Sequence, residues 1–111
     1  MGFLSKLFGQ EEEAKAAAVP SVNVASVAHE QTIPPHKVGL DGNFDESGLA
    51  KRVAKALDDN NISEQVGLWV AQLDSVVVIR YNPDAEEVLE LAKQIAAQVE
   101  GATEVQAEPN S

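Results

Sequence analysis

The most apolar part of the chain, between Val66 and Gly101, contains two strand patterns and one helix pattern. Residues 66–73 carry apolar side chains on both alternating faces, and residues 76–79 form a continuous β-branched run, which favours strands. Asp74 and Ser75 lie between the two runs and predict a tight antiparallel hairpin. Residues 84–100 then have apolar side chains at helical spacing, preceded by the helix-starting pair Asn82 and Pro83.

Weaker patterns flank this region. Residues 37–40 predict a short strand, residues 46–58 an amphipathic helix, and residues 102–107 a last strand. The resulting order is βαββαβ, which is typical of the ferredoxin-like fold. We therefore predict an α/β (α+β) two-layer sandwich, with a four-stranded antiparallel sheet and two helices on one of its faces.

The face of this sheet that the helices leave open is the first candidate for function. Both faces of the hairpin carry apolar side chains, and soluble monomers rarely expose so large an apolar patch. We expect the surplus face to be covered by the N-terminal segment, by a second copy of the chain or by a protein partner. The grouping that holds the tryptophan and the tyrosine is predicted as the binding face: Trp69, Val77, Ile79 and Tyr81. The other possible grouping is Leu68, Val70, Val76 and Val78. A further alternative is that Trp69 and Tyr81 merely lie half-buried at an edge of the sheet.

The N-terminal segment, residues 1–9, is the second candidate. Its bulky apolar residues fall on one side of a short helix, which predicts docking to a membrane surface or to a partner: Phe3, Leu4, Leu7 and Phe8. The alternative is that the segment folds back on its own domain. Residues 10–35 are expected to be a flexible linker, residues 36–108 the folded domain and residues 109–111 a tail.

Composition narrows the chemistry further. With 8 basic and 18 acidic residues the net charge is −10, which argues against a nucleic-acid partner. The cluster of Lys51, Arg52 and Lys55 is expected to be a solvated helix face. No cysteine is present, and His29 and His36 stand apart, so we expect no disulfide, no metal site, no cofactor and no enzyme activity.

A small-ligand or cation-binding regulatory domain is the alternative function. Asp41, Asn43 and Asp45 alternate around Gly42, as oxygen ligands do in calcium loops, although the glutamate that completes such a loop is missing. No apolar run approaches the roughly 20 residues that span a bilayer, and no secretory signal is evident. The expected location is cytoplasmic, with peripheral contact at the inner membrane surface through the first nine residues as an option.

The segment from Leu49 to Val105 resembles the BON domain, a small α/β module of bacterial envelope and osmotic-stress proteins. The resemblance rests on AKRVAKALDD, VGLWVAQLDSVVVI and DAEEVLELAKQIAAQVEGATEV, and it implies phospholipid or ligand binding. The family's hairpin glycines are replaced here by Asp74, Ser75, Arg80 and Tyr81. By topology the same span also resembles heavy-metal-associated ferredoxin-like domains, without their metal-binding cysteines. Neither resemblance assigns a site residue.

Overall fold

The predicted hairpin forms the first two strands of the sheet. The structure is a computed structural model that describes residues 2–12, 14, 33–40, 42–62 and 66–109. Strand β1 is Leu68–Leu73 and strand β2 is Val76–Tyr81, paired antiparallel. The turn between them consists of Asp74 and Ser75, and Asp74 adopts a left-handed φ of 54°, which Asp tolerates better than most residues.

Within the described ranges, three α-helices with defined bounds accompany these strands. Helix α1 is Phe3–Phe8, α2 is Gly48–Asp59 and α3 is Glu86–Ala97. Short 3₁₀ turns occupy Pro35–Lys37 and Pro83–Ala85, the second of them directly before α3. The two amphipathic helices predicted at 46–58 and 84–100 are therefore confirmed, α3 with a 3₁₀ first turn and an earlier end.

The last strand, β3, is Glu104–Pro109, and it pairs parallel with β2. In the described part of the chain the sheet has three strands in the order β1-β2-β3, so it is mixed. The predicted four-stranded antiparallel sheet is wrong. In a ferredoxin-like sheet the first strand would separate β2 from β3; without it, the chain that crosses over through α3 returns beside β2 in the same direction.

The missing strand is the one predicted at residues 37–40. Val38 forms only an isolated bridge with Phe44. Gly39 N–H donates to the carbonyl of Asn43 at 2.8 Å, and the Lys37 carbonyl accepts from Asp45 N–H at 2.7 Å. Because this short segment uses its backbone groups in a local loop, it does not join the sheet as a fourth strand.

The core lies between the helices and one face of the sheet. Helix α2 packs on β1 and on α3, and α3 packs on β2 and β3. Helix α1 packs on α2. The largest fully buried side chains come from the N-terminus, the 38–40 loop, α2 and the sheet: Phe3, Val38, Leu49, Val53, Leu57, Leu68, Val77 and Ile79. The protein is thus a small α+β domain in which the N-terminal helix contributes to the core.

Several predictions fall where the structure gives no description. Most of the predicted linker at residues 10–35, including His29, lies outside the described residues, as does Asp41 of the predicted cation loop. Residues 10–12 are described and are helical. Among the described residues, none of the helices has both the length and the apolar character that crossing a bilayer requires.

Candidate functional site

The sheet register decides which side chains share a face. Leu73 lies opposite Val76 across the two-residue turn, so Trp69 lies opposite Arg80 and Ala71 opposite Val78. Directly opposed residues point to the same side of a sheet. With the partners on β3 added, one face consists of Trp69, Ala71, Leu73, Val76, Val78, Arg80, Glu104, Gln106 and Glu108. We call this the outer face, because the helices pack on the opposite one.

The outer face is apolar at β1 and acidic at β3. Leu73 is 71% exposed and Trp69 is 36% exposed, whereas Val76 and Val78 on the central strand are half-buried. Across the sheet, β3 presents Glu104, Gln106 and Glu108 to the same side, all of them exposed. We call the five apolar residues at the β1 end of this face the β1 patch: Trp69, Ala71, Leu73, Val76 and Val78.

A lysine from the N-terminal helix borders the β1 patch. The Lys6 ammonium lies 5.4 Å from the centroid of the Trp69 ring and 5.4 Å from that of the Phe3 ring, both within cation–π range. Lys6 Nζ also donates to the Val66 carbonyl at 3.4 Å. These contacts cover part of the indole, which explains why Trp69 is less exposed than Leu73.

The predicted binding face is wrong as a grouping. Trp69 is on the outer face, but Val77, Ile79 and Tyr81 point to the helices, and the first two are fully buried. The physical reason is the parity that a two-residue turn imposes, because odd positions of β1 then oppose even positions of β2. The sequence contains this signal, since Asp74 and Ser75 were already predicted as the turn.

The four N-terminal docking residues pack against the protein itself. Phe3 and Leu4 are buried in the core, and Leu7 and Phe8 are half-buried against it. The structure therefore gives the segment the fold-back position that the sequence had left as the alternative. Docking of these residues to a membrane or a partner remains a prediction, and it would require α1 to leave its place.

Asp58 fixes the start of α1. Its two carboxylate oxygens accept the backbone N–H groups of Phe3 at 2.6 Å and Leu4 at 3.1 Å. These donors have no partner within the first turn of a helix, so a carboxylate there satisfies them and suits the helix dipole. A side chain at Gly2 would meet this carboxylate, because an added Cβ would lie 2.3 Å from Asp58 Oδ1.

An ion cluster connects α2 to the residues after α1. The Lys51 ammonium lies 2.7 Å from Asp45 Oδ2 and 3.2 Å from Oε1 of the buried Glu12. Burial acts to lower the pKa of Lys51, but its hydrogen bonds with Asp45 and Glu12 outweigh that effect and raise the pKa. Both carboxylates of the cluster lie within 3.2 Å of the Lys51 ammonium, which favours a structural role.

Arg52 joins distant parts of the backbone. Its guanidinium donates to the carbonyls of Val38 at 2.8 Å, of Pro35 and of Glu100. Burial lowers the pKa of Arg52 to about 10, which still leaves the group charged at neutral pH. The expectation of a solvated basic face at residues 51–55 thus applies to Lys55, whose Asp59 partner is exposed. It fails for Arg52 and for Lys51, whose side chain is only 15% exposed.

One polar residue of β1 faces inward and is used structurally. The side-chain oxygen of Gln72 accepts from Ala50 N–H at 2.7 Å, in the first turn of α2. Its amide nitrogen donates to the carbonyls of His36 and Asp74, each at 3.0 Å. Sequence reasoning missed Gln72, Arg52 and Asp58, because they bond to residues 22, 48 and 55 positions away and no local motif connects them.

The described residues offer little for chemistry. Among them, no group of three or more His, Asp or Glu side chains is placed to hold a metal ion. An open cleft of about 380 Å³ lies between α3 and β3, and the β1 patch is an exposed apolar surface that a protein could recognise. Comparisons with protein-family models, with curated proteins and with solved structures gave no match for this chain.

Proposed function

We propose that this chain is a non-catalytic binding module that docks a protein through the β1 patch. One observation carries the proposal: Trp69 and Leu73 are both exposed on one face of an edge strand, with Ala71 between them, and this is the face of the sheet that the helices do not cover. Trp is among the residues that contribute most to protein interfaces, because it buries a large, rigid surface.

The surroundings of the patch support the same function. An apolar centre with a polar rim is the usual composition of a protein interface. Here the rim consists of Arg80, which lies 3.7 Å from Glu108, together with Glu104 and Gln106 on β3. Such an arrangement orients a partner through the charged rim and binds it through the apolar centre.

Membrane tethering through the N-terminal segment is weaker on energetic grounds. Phe3 and Leu4 would have to leave the core, which costs about 3–6 kcal/mol for two fully buried apolar side chains. A membrane would have to restore this free energy before any net binding. Docking at the β1 patch requires no such rearrangement, and this favours the sheet over the tether as the main binding surface. The cytoplasmic location and the resemblance to the BON domain remain predictions.

The function is tested by comparing two exposed leucines. Leu73→Asp places a charge in the β1 patch, whereas Leu91→Asp places the same charge on α3, where Leu91 is 48% exposed. Proteins captured from a lysate by the wild-type chain are identified, purified and measured in direct titrations with all three chains. We expect a partner whose dissociation constant rises at least tenfold with Leu73→Asp and stays unchanged with Leu91→Asp. Equal binding by all three chains would contradict the proposal.

A further inference from the structure

Strand β1 is an edge strand of the sheet among the described residues, and its sequence lacks the charges and proline that usually protect an edge. Edge strands of natural proteins carry charges, proline or bulges that prevent pairing with another chain. The sequence of β1 is LWVAQL, which contains no charge and no proline, and its pairing with β2 is regular over all six residues. The other edge, β3, has the sequence EVQAEP, with two glutamates and a proline. Within the described part of the chain, β1 has a strand neighbour on one side only.

The backbone of β1 presents hydrogen-bonding groups outward at alternate residues. Asn82 N–H donates to the carbonyl of Gly67 at 2.9 Å, so these two opposed residues form a hydrogen-bonded pair. In an antiparallel ladder such pairs recur at every second residue. Trp69 and Ala71 therefore bond toward β2, while the N–H and C=O groups of Val70 and Gln72 point away from the sheet.

The two ends of β1 carry opposite charges. At its beginning Lys6 bonds to the Val66 carbonyl, and at its end Asp74 is an exposed turn residue. If β1 pairs antiparallel with another β1 about a twofold axis near Val70, the beginning of each strand lies beside the end of the other. Lys6 of one copy then approaches Asp74 of the second copy, and the twofold axis repeats the contact.

We propose that the occupant of the β1 edge is a second copy of this chain, paired antiparallel through β1 in a six-stranded sheet. This inference goes beyond the proposed docking function, because the second copy pairs along the edge of β1 and the β1 patch of each copy stays exposed. Val70 of each copy exchanges backbone hydrogen bonds with Val70 of the other, and the Gln72 N–H of each copy donates to the Leu68 carbonyl of the other, because the Leu68 N–H already donates to the Val66 carbonyl. The two helical layers lie on the same side. The outer faces join, so that Trp69 and Leu73 of both copies form one apolar surface.

Charge makes β1 the surface at which two copies of this chain approach each other with the least repulsion. Each chain has a net charge of −10, so two copies repel each other at most surfaces. At β1 the contact is neutral along the strand and attractive at both ends. Two six-residue strands bury less than a standard interface, so we expect a dissociation constant in a roughly micromolar range.

Charge reversal at the two ends of β1 tests the geometry. Sedimentation equilibrium of the full chain measures its mass over a range of concentrations, for the wild type, Lys6→Glu, Asp74→Lys and the double variant. Each single reversal creates two repulsive contacts and should weaken the dimer roughly 5- to 30-fold. The double variant should recover the wild-type affinity, because opposite charges would again face each other at both ends, with their signs exchanged. Lys93→Glu, which changes a lysine on α3, is the control and should change nothing.

The outcomes separate this inference from the proposed function. A wild-type chain that stays monomeric at all concentrations overturns the dimer, and the comparison of Leu73→Asp with Leu91→Asp still decides whether the patch binds another protein. A dimer that is insensitive to both single reversals, or one that the double variant fails to restore, also overturns the antiparallel β1 arrangement. Circular dichroism of each variant verifies that the fold is retained.

Discussion

The two edge strands of the sheet differ in their charge, in their exposed apolar side chains and in the helix that packs near them. The β1 edge is uncharged and exposes Trp69 and Leu73, and the N-terminal helix is packed beside it on α2. The β3 edge carries Glu104 and Glu108 and ends in Pro109, with α3 behind it. Because charge and proline prevent strand pairing, strand β3 is protected, whereas β1 contains neither and has no strand on its other side among the described residues.

This difference is the basis of the proposed docking site. Most of the surface repels acidic partners, so an apolar, neutral strand is the place where close approach costs least. The N-terminal helix contributes to the same side, because Lys6 lies over Trp69 and Phe3 is packed in the core below. The following predictions, from the largest expected effect to the smallest, test whether the β1 side, including the N-terminal helix, is firmly packed in the fold.

The largest effect is expected from the phenylalanine that anchors α1. Phe3→Ala removes a fully buried ring and should lower the free energy of unfolding by about 3–5 kcal/mol. Phe44→Ala is the matched control, since Phe44 is 57% exposed, and it should cost less than about 0.5 kcal/mol. Urea unfolding followed by circular dichroism measures both. Equal stabilities would mean that the N-terminal segment is a loose tether and not part of the β1 side.

A smaller effect is expected from Arg52, which connects α2 on the β1 side with Glu100, three residues after α3 on the β3 side. Arg52→Gln leaves carbonyls of Pro35, Val38 and Glu100 without their charged donor and should cost about 1.5–3 kcal/mol. Lys55→Gln, one turn further along α2, removes only an exposed ion pair and should cost less than about 0.5 kcal/mol. Thermal unfolding of both variants distinguishes the cases, and similar melting temperatures would rule out this structural role for Arg52.

The smallest of the three effects is expected at the start of α1. Asp58→Ala leaves the Phe3 and Leu4 N–H groups without their acceptor and should cost about 0.5–2 kcal/mol. Asp59→Ala removes a neighbouring exposed carboxylate and serves as the control. Amide hydrogen exchange should show faster exchange in α1 with Asp58→Ala only. Unchanged protection of α1 would show that the carboxylate does not hold the helix in place.

Much of the fold could be predicted from local patterns. The hairpin and the two main helices follow from alternation, turn residues and helical spacing, and the structure confirms all three. The strand predicted at 37–40 failed because so short a segment is decided by tertiary context: here a local loop with Asn43 and Asp45 uses its backbone groups. As a consequence, β3 lies beside β2 and is parallel to it, instead of pairing antiparallel with the predicted first strand.

The candidate site was predicted in part. An uncovered apolar sheet face containing Trp69 was expected and is present, but the grouping with Val77, Ile79 and Tyr81 ignored the parity that the two-residue turn sets. Applying that parity to the sequence would have placed Leu73, Val76 and Val78 on the same face as Trp69. The roles of Asp58, Arg52 and Gln72 could not have been predicted, because they depend on contacts between residues far apart in sequence.

The central claim is that β1 is the open edge and β3 the protected one, and cysteine cross-linking tests it most directly. The chain has no cysteine, so a single introduced thiol reports one position. Ala71→Cys places it on β1, and Gln106→Cys places it in the same row of the outer face on β3; both positions are exposed. With a short bismaleimide at equal protein concentration, we expect covalent dimers to form at least about tenfold faster at position 71. Equal rates at the two positions would contradict the claim.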